Sequence, residues 1–309
     1  MVDTFGCLIG QLHKRATEAK RVREKKHEMA GRNCSALARR NPIPSLDDRV
    51  RFEEARHRYF IDGHLFSGPS VTALVASTFD GVFDAQLIIK THLPNWRTNS
   101  TSRYHNVVAG LSDDDATDAI LEMWSKANKL GTATHLSFEF LLNDESPPAS
   151  DLDVSVEIAQ FKQFLTDFAS LEPLRTELCV VWRDEKSDLV TCCGQLDALF
   201  KCRESGKVAI VDFKRTLHDL SSEAPNYGKM GKVGSPLEGV VKNDFSTYSL
   251  QQSLYATMLA QAGIEVDACW LLKVHRELAS YELVQCADLS KEARQLLATA
   301  GNCCISSAE

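Results

Sequence analysis

Val208-Ala209-Ile210-Val211-Asp212-Phe213-Lys214-Arg215-Thr216 opens with four apolar residues and closes on charge. Four consecutive apolar side chains suit a strand buried on both faces, at the centre of a sheet. Successive side chains of a strand alternate sides, so Asp212 and Lys214 leave on one face and Phe213 on the other. A lone Asp-x-Lys is usually a surface ion pair of little worth. Placed at the end of a buried element, the same pair is costly to keep without a purpose.

Fifteen residues earlier, Gly194-Gln195-Leu196-Asp197 begins another apolar run, Leu196 to Cys202. An antiparallel return through the polar turn Arg203 to Gly206 sets Asp197 beside Asp212. Two carboxylates at close range repel unless a cation lies between them, and hard oxygen ligands suit Mg²⁺ or Mn²⁺ better than zinc. Such a metal activates water and polarises a phosphodiester. Lys214 can orient or deprotonate that water or stabilise charge in the transition state, and the residues do not separate these roles.

Working outward, Glu177 to Trp182 and Leu189 to Cys193 read as further strands, with Glu177 opening the first. Helical spacing runs from Ala116 to Leu142, through Asp151 to Ala169 and through Phe245 to Ala262. Val266 to Val274 and Tyr281 to Cys286 read as paired strands, and Leu289 to Ala300 as a closing helix. Ser221 to Asn243, rich in Gly, Pro and Lys, reads as a long mobile loop. Together these elements predict an α+β domain, a mixed sheet with helices packed on it. Ahead of it, Val50 to Ile61 reads as two short strands before the Asp62-Gly63 turn, and helices are expected over Val71 to Ser77 and Phe83 to His92. The expected division is an arm over 1–44, a hairpin and helical subdomain over 45–115, and a core over 116–309.

On the long helix Gly131, His135 and Glu139 recur every four residues and share a face, Gly131 permitting close approach to the sheet. His135 can ligand a metal or bond to Glu139 on a solvated face. Glu177 can be an ordinary exposed carboxylate, and Gln251 and Tyr255 routine polar positions on one helix face. Order joins them. G-x-x-x-H-x-x-x-E on a helix, then E, then G-x-x-D, then D-F-K, then Q-x-x-x-Y on a helix resembles the PD-(D/E)xK nuclease superfamily, closely its RecB-type and lambda-exonuclease-like branch. The resemblance covers about Gly131 to Cys286 and includes Tyr248 to Tyr255; Tyr59 to Val75 is a looser match to viral and phage members.

The resemblance implies a restriction-endonuclease-like α/β/α core in a Mg²⁺- or Mn²⁺-dependent enzyme that hydrolyses DNA, an exonuclease by its His135 and Gln251/Tyr255 elements, serving repair, recombination or replication. It implies metal ligation by Asp197, Asp212, the carbonyl of Phe213 and His135, with Lys214 as catalytic lysine and Glu139 and Glu177 shaping the metal or water network. Gln251 and Tyr255 then contact the DNA backbone or brace the site, and Arg215, Lys229, Lys232 and Lys242 are further candidates for gripping DNA. The family's proline is absent before Asp197, as is usual in this branch. The alternatives are a catalytically silent nucleic-acid-binding scaffold of the same fold and a structure-specific endonuclease.

Net charge is −7; residues 1–40 carry ten Lys/Arg and four Asp/Glu, hence +6, leaving −13 for the rest. That balance argues against indiscriminate coating of nucleic acid. The basic arm, with Lys20 to Lys26 at its centre, reads as a solvated tail that can touch phosphates or act as an address. Ten cysteines form no C-x-x-C pair, which points to reduced thiols and away from an iron–sulfur cluster. With no apolar run of about 18 residues and no signal-peptide pattern, the expectation is an intracellular protein, nuclear or cytoplasmic rather than mitochondrial, that avoids membranes.

Overall fold

Residues 35–53, 56–79, 83–225 and 229–305 are described by a computed structural model. The first of them correct the boundary expected at residue 44. Ser35 caps a short helix, α1 (Ala36–Arg40), whose Leu37 is buried against Phe138 and Leu142, and a second turn, α2 (Pro44–Asp47), follows. Arg175 clamps this segment through a nearly buried pair with Asp47 at 2.6 Å. The end of the expected arm is therefore part of the folded body, while Lys20 to Lys26 lies outside the described residues.

Strands β1 (Val50–Glu53), β2 (Arg58–Ile61) and β3 (His64–Leu65) form an antiparallel sheet, and Ser70 caps α3 (Val71–Thr78) by accepting the Ala73 N–H. Helices α4 (Ala85–Thr98) and α5 (His105–Val108) lead to α6 (Asp113–Leu142), which is 30 residues long. Ser112 caps α6, and Asp113, Asp114 and Asp115 place negative charge in its first turn, where the helix dipole favours it. Ile89, Leu93, Trp96, Tyr104 and Val108 pack on Ala116 and Ile120 as a separate small core. The helical lobe thus ends inside α6, beyond the division expected at residue 115.

After α7 (Ser155–Asp167) come β4 (Leu171–Arg183), β5 (Val190–Cys202) and β6 (Val208–Arg215), then α8 (Asp244–Gln261), β7 (Ala268–Val274), β8 (Glu282–Gln285) and α9 (Ser290–Ile305). The five strands order β4-β5-β6-β7-β8, antiparallel except for β6 with β7. Parallel neighbours need a crossover, which the segment after β6 and α8 supply. Helices cover both faces. Phe138, Leu142, Phe161 and Phe164 of α6 and α7 meet Phe200, Val211 and Phe213 on one side. Leu250, Leu254, Met258, Leu296 and Leu297 of α8 and α9 meet Leu196, Leu199 and Ile210 on the other, joined by Phe52 and Tyr59 of the small sheet. This is the expected α+β architecture with a mixed sheet. Gly194 and Gln195 do not separate two strands as anticipated but run through the middle of β5.

Candidate active site

The strand alternation read from the sequence places Asp212 and Lys214 together. On β6 the Lys214 ammonium rests against Asp212 Oδ2, with Asp212 buried and Lys214 partly so. The β5–β6 register pairs Ala198 with Val211, which brings Asp197 to the same end of the sheet. There Asp197 Oδ2 accepts the Phe213 N–H at 2.7 Å and lies 3.3 Å from His135 Nδ1, carried in by α6. Asp197, Asp212, Lys214 and His135 therefore converge.

Burial opposes charge on each member, and neighbours decide the balance. Asp197, despite burial, is held well below the usual carboxylate range by His135, Lys214 and the Phe213 N–H. Burial and the nearby Asp197 charge push Asp212 up against the pull of Lys214. Lys214 overcomes burial through Asp212, Asp197 and Tyr248 and stays protonated above the ordinary lysine value. His135 is raised by Asp197 in spite of its burial.

Glu139 follows His135 by one turn and is buried. Glu177 does not open its strand. It lies in mid-β4, where the pairs Thr176↔Ala198 and Leu178↔Leu196 set it opposite Asp197. Its φ of 48° is left-handed, a conformation that costs a non-glycine residue about 1–3 kcal/mol and tends to be retained at functional sites. Its carbonyl accepts Gln195 Nε2 at 3.1 Å, so the residues flanking Asp197 and the bend at Glu177 brace each other.

From α8, Gln251 Nε2 donates to the Tyr255 hydroxyl at 3.2 Å. Tyr255 is buried against Gly194, where a Cβ would stand 2.6 Å from its ring and 2.9 Å from Val71. Here a glycine does admit close approach. At Gly131 the expectation fails, because a Cβ there would meet nothing within 4 Å. Two residues of α8 not singled out from the sequence reach the charged pair directly. Gln252 Nε2 donates to Asp212 Oδ1 at 2.9 Å, and the Tyr248 ring lies 4.4 Å from Lys214 Nζ. The adjacent glutamines 251 and 252 were the available signal: a polar side chain one step round from Gln251 points into the sheet.

Arg215 requires a correction. Its guanidinium is buried and meets the fully buried Glu157 Oε1 of α7 at 2.9 Å through both Nε and Nη2, which binds it into the core rather than offering it to a substrate. The loop of Lys229, Lys232 and Lys242 is hydrogen-bonded to itself and to the body where described. Gly231 N–H donates to Val240 O at 2.8 Å and Lys232 N–H to Thr78 O at 3.0 Å, with Leu237 fully buried beneath. Lys232 is exposed, Lys229 half-buried, and Lys242 Nζ lies 5.6 Å from the Phe79 ring.

Among the described residues no three His, Cys, Asp or Glu side chains are grouped as a ready metal cage. The donor chemistry nevertheless fits a Mg²⁺-like ion, which takes one or two carboxylates and completes its octahedron with waters and substrate oxygens. Asp197 and Asp212 are two such carboxylates, the first partly buried and the second buried, with the Lys214 ammonium as the cation against Asp212.

No profile of a known protein family matches the chain. No curated protein matches it either. A solved structure described as "Crystal structure of SSO0001" is 11% identical, with 76% of this chain and 75% of that one covered and a TM-score of 0.33, too remote a likeness to carry an argument. Among the described residues no helix is long and apolar enough to cross a membrane.

Proposed function

We propose that the chain is a metal-dependent nuclease that hydrolyses phosphodiester bonds in DNA, working from strand ends. The observation that carries this reading is the convergence of Asp197, Asp212 and Lys214 at one end of β5 and β6, with His135 at 3.3 Å from Asp197. The motif order that resembles the PD-(D/E)xK superfamily supports it. Asp197, Asp212 and the Phe213 carbonyl would hold a Mg²⁺ or Mn²⁺ ion, with His135 as a further ligand. The metal, when bound, would polarise the scissile phosphate and lower the pKa of a bound water.

The chain's own residues supply the rest. The Phe213 N–H fixes one oxygen of Asp197, and the two carboxylates keep Lys214 a cation, suited to stabilising negative charge as the phosphate is attacked. Glu139 and Glu177 flank this group and would order water around it. Gln251, through the Tyr255 hydroxyl, braces the wall that α8 presents to Gly194. Lys229, Lys232 and Lys242 would meet phosphates electrostatically.

The test is digestion of end-labelled single- and double-stranded DNA, either terminus blocked, with Mg²⁺ or Mn²⁺, beside Asp212→Ala and Lys214→Ala. Cleavage by the parent alone, stopped by a blocked end, is the expected outcome. A parent that binds DNA but stays inert with both metals refutes the catalytic reading.

A further inference from the structure

We infer that Gln252 is a positioning residue that fixes Asp212 for metal binding, a role that rests on the nuclease reading above. Gln252 is fully buried in the middle of α8, between Leu250 and Leu254, where packing alone would be served by an apolar residue. Its Nε2 donates to Asp212 Oδ1 at 2.9 Å, while its Oε1 is buried with no hydrogen-bond partner among the described residues. A buried amide with an unmet acceptor is a destabilising choice. The uncompensated carbonyl is the consequence of presenting the N–H to the carboxylate, since the reversed amide would set oxygen against oxygen.

The helix side of this contact is itself held. Cys269 Sγ of β7 contacts the Gln252 carbonyl at 3.8 Å, and Ser249 and Ser253 receive the N–H groups of Ala287 and Leu289 at 3.0 and 3.1 Å. α8 is thus tied to the chain on either side of β8, and the amide arrives at Asp212 from a fixed direction. On the other oxygen, Asp212 faces Lys214. Oδ1 is therefore locked by an uncharged donor that a metal does not repel, and Oδ2 is the oxygen whose partner a cation would displace. The arrangement fixes the carboxylate's orientation beside Asp197. Loss of such outer partners commonly weakens metal affinity 10- to 100-fold.

Gln252→Met keeps the volume and removes the donor, with Gln252→Leu as the second variant should the first not fold. The full-length chain is titrated with Mn²⁺ alone, followed by calorimetry and by the manganese resonance signal, and its melting is recorded without metal. The expected result is a 10- to 100-fold weaker Mn²⁺ affinity in a folded variant, whatever the lost donor to Asp212 Oδ1 does to the metal-free melting temperature. A variant that binds Mn²⁺ like the parent overturns the inference while leaving the nuclease reading intact. So does a variant with a lowered melting temperature and unaltered affinity, which marks a purely structural residue. A folded parent that binds no Mn²⁺ overturns both.

Discussion

Replacing Arg215 separates a structural role from a substrate-binding one. Its guanidinium and the Glu157 carboxylate are both buried, and Glu157 Oε2 has no hydrogen-bond partner among the described residues. Arg215→Met leaves Glu157 as an uncompensated buried charge, a change that costs about 3–5 kcal/mol. For a chain of this size each kcal/mol moves the melting temperature by roughly 2–4 °C, so a fall of about 10 °C is expected. The double variant Glu157→Met with Arg215→Met removes the stranded charge, and buried ion pairs replaced by apolar side chains are often neutral or more stable. It should recover most of the loss. Urea denaturation followed by circular dichroism, with DNA affinity measured on the same samples below the transition, is the assay. An Arg215→Met protein of parental stability but weakened DNA binding would refute the reasoning and return Arg215 to the substrate.

Two glycines should respond with opposite sign. Gly194→Ala, which drives a Cβ into the Tyr255 ring, should destabilise by about 1–3 kcal/mol, whereas Gly131→Ala, in open space within α6, should stabilise by up to about 1 kcal/mol; equal effects in urea titrations would contradict the packing described. His135 titrates above its ordinary value, so the stability it adds is fully present below about 6.5 and is lost as pH rises through the folded pKa. A histidine NMR titration with its midpoint at or below about 6.5 would remove the basis for this slope, and Asp197→Asn should lower the midpoint. Alanine at Lys229, Lys232 and Lys242 should weaken DNA binding without sequence preference and flatten its salt dependence by about one power per lost phosphate contact; an unchanged slope would clear the loop of that role.

The elements carrying strong periodicity were legible, because burying α6, α7 and α8 on a sheet demands the patterns that the sequence displays. Strand alternation sufficed to put Asp212 beside Lys214 and opposite Phe213. What escaped were effects of partners remote in the chain. Glu157 lies beside Val154, Ile158 and Phe161 on the buried side of α7, and nothing local in the sequence named Arg215 as its partner. Gln251 and Tyr255 were singled out by the motif order that resembles a nuclease superfamily, while Gln252, turned about 100° further round the helix, was selected by the sheet beneath it. The bend at Glu177 depends on a cross-strand side chain, Gln195, and has no local glycine to announce it. The short helices before β1 escaped because their burial depends on Phe138 and Arg175, far along the chain.

The parallel pairing of β6 with β7 also divides the site by time of synthesis. Asp197, Asp212 and Lys214 belong to one hairpin, closed by a turn of a few residues, and His135 precedes them. Gln252 and Tyr255 wait for the crossover, whose closure is slower because its contacts are distant in sequence. A nascent chain that has emerged only as far as Arg215 therefore holds the acidic pair and its lysine without the helix that covers them.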